Sequence, residues 1–166
     1  MATYDKDVIA DLIDGKLPWP DTKRIMSSFK DEDRFDKYVE ILQERVPWKE
    51  KIVLPIGEHL YIVKKEGQDR ADYIVKCDCG HEFGPYTQNW KLEALVFVRN
   101  TEALLREIYP GAKAPDPSLQ EIREFICPGC GTLLEVEAVP PGYPITFDFL
   151  PDLEGFYRDI LGRALP

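Results

Sequence analysis

The chain has 166 residues, a hydrophobic fraction of 44% and a formal net charge of −9. This length suits one domain that buries about two thirds of its unfolded surface. The acidic balance disfavours a nucleic-acid partner, because phosphate backbones bind Lys and Arg and repel carboxylates. No apolar run approaches the ~18–20 residues that span a bilayer. No basic region leads into an apolar stretch at the N-terminus, so we expect no signal peptide, no membrane and a cytoplasmic location.

Residues 1–50 are predicted to form three helices. A first short helix is expected to end at Gly15, and Asp21 is a suitable N-cap for a second. The third helix is predicted to begin near Asp31 or Asp33 and to end before a proline. Its apolar stripe has helical spacing and consists of Phe35, Tyr38, Val39, Leu42 and Val46.

Residues 51–139 are predicted to be mainly β-structure. Short β-rich runs cover 52–54, 60–63 and 73–75, and alternation continues from Leu92 to Val98. A short helix capped by Thr101 is expected to end at Pro110. The later strand is predicted to turn one set of residues inward, Leu134, Val136 and Ala138, and to expose Glu135 and Glu137.

Residues 140–166 are predicted to form a proline-rich arm and a final helix from Asp152 to Leu161. Its inward residues are expected to be Leu153, Phe156 and Ile160. The aromatic side chains of the arm suit either a contact with another subunit or packing on this domain's own core, and the sequence favours neither. The loop tryptophans, Trp19, Trp48 and Trp90, suit interfaces.

All four cysteines of the chain occur in two tight pairs, Cys77 with Cys79 and Cys127 with Cys130. Glycine follows each pair directly, which lets the chain turn away with φ > 0. Four thiolates complete the tetrahedral coordination of Zn²⁺, and the cytoplasm keeps thiols reduced. We therefore predict a structural zinc site at these four residues, between two β-hairpins as in a zinc ribbon. The fold class is accordingly α+β, with a strand and a helix inserted between the two pairs.

Other uses of the same cysteines remain open. Cys127 and Cys130 have redox-dithiol spacing, although a catalytic pair usually begins a helix and this one precedes a strand. A redox-sensing zinc centre needs the same four thiolates. A catalytic zinc is disfavoured, because four cysteines leave no open position. His81 is either a partly exposed turn residue, which the sequence favours, an alternative ligand in place of a cysteine, or a hydrogen-bond partner of a cysteine sulfur. His59 has no partner that the sequence identifies.

The sequence contains no phosphate-binding loop and no dinucleotide fingerprint. Neither histidine has a candidate nucleophile beside it. We therefore expect this chain to catalyse no reaction alone.

Several segments, in one order along nearly the whole chain, resemble the gamma subunit of acetone carboxylase. They are residues 38–45, 47–48, 51–55, 77–81, 89–91, 107–110, 122–124, 127–133 and 152–157. The resemblance implies a small chain that binds zinc through Cys77, Cys79, Cys127 and Cys130.

The resemblance also implies which subunits the chain assembles with and which reaction the complex catalyses. Large alpha and beta subunits would join it in a twofold hetero-hexamer, and those subunits would hold manganese and ATP. The family enzyme converts acetone and bicarbonate to acetoacetate. Related carboxylases act on aromatic ketones such as acetophenone, and the ketone would be selected in the large subunits.

Overall fold

The computed structural model describes residues 4–29, 31–65, 72–109, 111 and 113–166. Three helices open the chain: α1 Lys6–Ile13, α2 Trp19–Ser27 and α3 Arg34–Arg45. Helix α1 ends at the predicted place, and Gly15 follows it with a φ of 66°. Helix α2 begins two residues before Asp21, because Pro18 is its N-cap and Asp21 lies in its first turn. The proline just inside this helix start costs no hydrogen bond, since the first N–H groups have no partner there.

Helix α3 joins the helical region to the first sheet. Asp33 is its N-cap, and it ends before Pro47, as predicted. Leu42 packs with Ile52 and Val63 of the sheet in one buried cluster. Three more residues of the predicted stripe, Tyr38, Val39 and Val46, are partly buried against the same cluster. The remaining one, Phe35, packs instead against the larger cluster that contains Tyr157.

The first sheet is antiparallel, with the strand order β1-β2-β3-β4. Its strands are β1 Lys51–Pro55, β2 Leu60–Lys65, β3 Asp72–Cys77 and β4 Glu82–Pro85. The β-rich runs of the sequence predict the first three of these strands. They miss β4, because four residues that include a glycine and a proline carry no strand signal.

The second sheet is also antiparallel, with the order β5-β6-β7. Its strands are β5 Leu95–Arg99, β6 Glu121–Ile126 and β7 Leu133–Val139, and helix α4, Glu102–Ile108, lies between β5 and β6 in the chain. Thr101 caps α4, as predicted. The expected strand start at Leu92 is wrong, because Trp90–Glu93 forms a 3-10 turn. The predicted helix stop, Pro110, lies outside the described residues.

A β-bulge in β7 reverses the predicted facing of that strand. Ile126 of β6 pairs with Leu133, but the preceding Phe125 pairs with Glu135, so one extra residue is inserted between them. Leu134 stays partly buried against the core, as predicted. Beyond the bulge the alternation shifts by one, so Val136 is 51% exposed and the glutamates lie inward. The predicted inward positions of Val136 and Ala138 are therefore wrong.

A row of three aromatic side chains in contact connects the two sheets. Trp90 lies between Phe83 of β4 and Phe125 of β6, with ring centroids 5.8 and 6.1 Å away. All three belong to the largest buried cluster. The expectation that Trp90 suits an interface is wrong, since it is 8% exposed in this core, whereas Trp19 is 68% exposed.

The C-terminal helix consists of α5 Leu153–Gly155 and a π-helical turn, Phe156–Ile160. Leu153 is buried and Phe156 is partly buried, as predicted, but Ile160 is 73% exposed. The π turn changes the spacing of the buried face, so Tyr157 is buried instead. Its hydroxyl donates to the carbonyl of Val53 at 2.8 Å and fixes the helix against β1.

The arm that precedes this helix makes non-covalent contacts with the rest of the same chain. The guanidinium of Arg123 donates to the carbonyl of Tyr143 at 2.5 Å, and Ile145 packs against the core. Its remaining apolar side chains are exposed: Tyr143, Phe147, Phe149 and Leu150.

Candidate metal centre

The four cysteines meet at the tips of two β-hairpins, one from each sheet. Cys77 ends β3 and Cys79 lies in the turn to β4, while Cys127 follows β6 and Cys130 lies in the turn to β7. Their four Sγ atoms lie within 4.8 Å of one another. Two cross-hairpin distances are 3.9 Å, from Cys77 to Cys130, and 3.8 Å, from Cys79 to Cys127. A zinc tetrahedron with Zn–S bonds of about 2.3 Å has edges of about 3.8 Å, so these thiols fit that ion.

The two cysteine turns have the same hydrogen-bond pattern despite their different lengths. In the first, Gly80 N–H donates to Cys77 O and Cys77 N–H donates to His81 O, both at 2.9 Å. In the second, Gly131 N–H donates to the carbonyl of Cys127, whose own N–H donates to Thr132, also at 2.9 Å. The shorter first pair therefore closes an equivalent turn with one residue fewer. Gly80 and Gly131 have φ values of 98° and 76°, as the sequence predicted for a chain that turns away.

Gly129 allows the two turns to approach closely. A Cβ atom at this position would lie 2.9 Å from Cβ of His81 and 3.2 Å from Sγ of Cys79. Both neighbours belong to the opposite hairpin, so a side chain here would push the two cysteine pairs apart.

The cluster is buried on one side and exposed on the other. Cys77 and Cys127 are buried, whereas Cys79 and Cys130 are exposed. Burial raises the pKa of Cys77 and, less strongly, that of Cys79. The side chain of Thr132 is hydrogen-bonded to Cys130, with 3.2 Å between Oγ1 and Sγ, and this contact lowers the pKa of Cys130 to about 6. The thiols therefore differ in how readily they become the thiolates that bind a metal.

Trp48 supports the first cysteine turn from outside. Its indole N–H donates to the carbonyls of Cys77 and Asp78, at 3.1 and 3.0 Å. The amine of Lys76 lies 5.1 Å from the centre of the Trp48 ring, a cation–π contact. The expectation that Trp48 suits an interface is therefore corrected, because its one donor serves the hairpin. Nothing in the sequence pairs this tryptophan with residues about thirty positions later.

His59 also contacts the first cysteine turn, and sequence reasoning missed this contact. Its Nδ1 lies 2.5 Å from Oδ2 of Asp78, the residue between Cys77 and Cys79. Asp78 N–H donates to the carbonyl of His59 at 3.2 Å. The pair spans 19 positions, which no local pattern reveals.

His81 does not join the sulfur cluster. Among the described residues, the group of ligand atoms that could hold an ion at this place contains the four cysteines and no histidine. The His81 ring instead packs edge-on against Phe83, with centroids 4.9 Å apart.

A second polar cluster surrounds Lys91, which is fully buried. Its ammonium lies 2.6 Å from Glu135, 2.7 Å from Glu137 and 3.0 Å from Asp148. Burial by itself lowers the pKa of Lys91, but hydrogen bonds to the three carboxylates outweigh it and hold the pKa above its usual value. The ammonium occupies the position between the carboxylates, so this acidic group is an internal ion cluster. Sequence reasoning missed it, because simple alternation along the strand predicts that both glutamates face solvent.

The local fold argues against the redox-dithiol interpretation, although the exposed Cys130 thiol has a lowered pKa. The turn from Cys127 to Cys130 leads into strand β7, so no helix N-terminus lowers a thiol pKa there. All four thiols are unbridged.

Comparison with known proteins identifies the family of this chain. The sequence profile of the family described as "Acetone carboxylase gamma subunit" matches residues 46–161. The chain belongs to the acetone carboxylase gamma subunit family. It is 51% identical over 164 residues to the acetone carboxylase gamma subunit of Xanthobacter autotrophicus, and the match covers 98% of this chain and 96% of the relative.

A second relative matches a smaller part of the chain. The acetophenone carboxylase beta subunit of Aromatoleum aromaticum is 35% identical over 79 residues, covering 46% of this chain and 61% of the relative. The family resemblance that the sequence indicated is thereby confirmed.

Within the described residues, no helix has both the length and the apolar character needed to cross a membrane.

Proposed function

We propose that this chain is the zinc-binding small subunit of an ATP-dependent ketone carboxylase that converts acetone and bicarbonate to acetoacetate. The observation that carries the proposal is the 51% identity to an acetone carboxylase gamma subunit over almost the full length of both chains. The cluster of four thiols, set at zinc spacing between two hairpins, supports the metal assignment.

Cys77, Cys79, Cys127 and Cys130 would hold the ion, and its role would be structural. Four thiolates complete the tetrahedron and leave no position for water or substrate. The ion would join a hairpin of the first sheet to a hairpin of the second, and so fix the relative position of the sheets. Four unbridged thiols also suit the reducing cytoplasm, where we propose that the protein acts.

Catalysis belongs, in this proposal, to the large alpha and beta subunits, which would bind manganese and ATP. The small chain would take part in a twofold hetero-hexamer as a single domain that supports its larger neighbours. Expressed alone, it is expected to show no ATP hydrolysis.

A carboxylase for aromatic ketones is the second candidate, and the acetophenone carboxylase relative favours it. That match covers less than half of this chain, whereas the match to the acetone carboxylase relative covers nearly all of it. A redox-sensing zinc protein is a further candidate, favoured by the exposure of Cys79 and Cys130. Peroxide would release zinc reversibly from such a sensor, but a centre that is covered in an assembled complex would resist peroxide.

The test is a ligand substitution in the chain co-expressed with the large subunits. Cys127→Ser and Cys130→Ser each remove one sulfur, so we expect both to lose zinc and the ability to co-purify with those subunits. Leu119→Ser is the control, because it also introduces a serine, at a side chain that is 72% exposed, but keeps all four thiols and their neighbours. Elemental analysis gives the zinc content, and affinity purification followed by a carboxylation assay gives assembly and activity. A zinc-free variant that assembles and carboxylates like the wild type would refute the structural role.

A further inference from the structure

The second sheet has one face that the described part of the chain covers only at one end. Strand pairing places Leu95, Ile126 and Leu133 in one row across β5, β6 and β7. The next row on this face consists of Phe97, Glu124 and Val136. We call these six residues the apolar face.

Four of the six side chains of the apolar face are largely exposed to solvent. Leu95 is 57% exposed, Phe97 41%, Leu133 47% and Val136 51%. Scattered apolar side chains are normal on a protein surface, but these are neighbours in two adjoining rows. Contiguous apolar patches of this kind mark interaction sites.

The one acidic residue of the apolar face is neutralised within the chain. Glu124 accepts a hydrogen bond from Nε of Arg99 at 3.0 Å, and the Arg99 guanidinium lies 4.9 Å from the centre of the Phe97 ring. Arg99 also donates to the carbonyl of Leu104 in α4 at 3.2 Å, so α4 covers this end of the sheet. The two rows nearer the cysteine turn stay open.

The total exposed area indicates that the chain has surface to bury. It exposes 10454 Å², whereas a compact monomer of 19.1 kDa exposes roughly 8,400 Å². The excess of about 2,000 Å² is more than twice the ~800 Å² that each partner contributes to an interface of standard size. An interface on the apolar face is therefore within what the surface allows.

Charge argues for a different chain, rather than a second copy, as the occupant. Two copies of a chain with a net charge of −9 repel each other. A partner with basic residues around the contact complements the net negative charge of this chain.

We propose that the apolar face is the docking site for a large carboxylase subunit, which contacts it through an apolar patch bordered by Lys and Arg. This inference rests on the proposed function. The docking site is continuous with the metal centre, because Ile126 and Leu133 directly flank the turn that contains Cys127 and Cys130. Zinc therefore fixes the hairpin that carries one edge of the face, and assembly depends on the metal through this edge.

The experiment compares two double variants of the full chain, each co-expressed with the large subunits. Leu95→Lys with Val136→Lys adds two ammonium groups to the apolar face. The matched control, Phe29→Lys with Ile160→Lys, adds the same charge to side chains that line a separate apolar cavity of about 440 Å³ and are 80% and 73% exposed. Zinc content and melting temperature of the isolated chains verify that both variants fold.

We expect the face variant to recover at least roughly tenfold less of the large subunits than the wild type, as for truncated interface hot spots. The control is expected to recover an unchanged amount. Normal recovery with the face variant, or an equal loss in both variants, overturns the docking site. So does a wild-type chain that is dimeric alone and becomes monomeric with the face substitutions, because the occupant is then a second copy. If the wild-type chain itself recovers no large subunit, the proposed function fails instead.

Discussion

Gly129 shows how one missing side chain determines the spacing of the metal centre. The two nearest atoms to a Cβ placed there are Cβ of His81 on the opposite turn and Sγ of Cys79. The Cβ atom of His81 is bonded directly to the backbone and cannot move aside as the end of a flexible side chain can. The absence of a side chain at Gly129 therefore helps to set the spacing of the four thiols.

Gly129→Ala is expected to destabilise the chain by about 1–3 kcal/mol, the usual cost of inserting a methyl group into a packed site. Zinc affinity should fall as well, because the methyl group separates the two cysteine pairs. The control is Gly57→Ala, whose Cβ would meet Leu60 at an ordinary 3.6 Å. Urea unfolding and competition with a chromophoric chelator measure the two effects. Equal stability and affinity for both variants would contradict this role of Gly129.

At the scale of elements, the Lys91 cluster connects three separate parts of the chain. The lysine lies in the 3-10 turn before β5, its glutamates lie on β7, and Asp148 lies in the C-terminal arm. Breaking a buried ion pair is costly, because the charged groups that remain are still removed from water but no longer have a partner of opposite charge. The cluster therefore holds the arm beside β7.

Lys91→Met should lower the free energy of unfolding by about 2–3 kcal/mol, below the ~3–5 kcal/mol of a fully buried pair because the carboxylates are partly solvated. The arm should also become a substrate for chymotrypsin near Phe147 and Phe149. Lys16→Met is the control, since the Lys16 side chain is 65% exposed and its surface pair with Asp14 should contribute little to stability. Thermal unfolding and limited proteolysis are the measurements. An arm that resists cleavage in the Lys91 variant would show that other contacts suffice to hold it.

The elements also show what the sequence could and could not predict. Helices α1 and α3 were predictable because an apolar stripe and a stop signal are local properties. The cysteine cluster was predictable because the pairs are the only thiols and their chemistry is specific. The bulge in β7 was not, because an extra residue in a strand depends on its partner strand and reverses every side chain beyond it. The contacts of Trp48, His59 and Lys91 could not be predicted either, because the partner of each residue lies far away in the sequence.

At the scale of the whole molecule, the proposed zinc ion would share with the aromatic core the task of joining the two sheets. Phe83, Trp90 and Phe125 provide the apolar connection, and the four thiols would provide a metal connection at the hairpin tips. A metal link that closes a long loop stabilises strongly, because it removes many conformations of the unfolded chain. The two connections should therefore unfold together as one cooperative unit.

Removal of zinc from the isolated chain by a strong chelator should lower the melting temperature by at least about 10 °C. A stabilisation of about 5 kcal/mol corresponds to such a shift in a chain of this size. Calorimetry should still show one transition, and hydrogen exchange should locate the first loss of protection at the two cysteine hairpins. Zinc added back should restore both measurements. An unchanged melting temperature in the chelated, metal-free chain would show that the aromatic core alone joins the sheets.

The separation of the two cysteine pairs has a consequence for synthesis on the ribosome. Forty-seven residues lie between Cys79 and Cys127. At about 5–20 residues per second, the first pair leaves the ribosome several seconds before the second. During this interval the nascent polypeptide offers only two sulfur ligands, too few to retain an ion firmly, so the proposed zinc would be inserted late, after translation of β6.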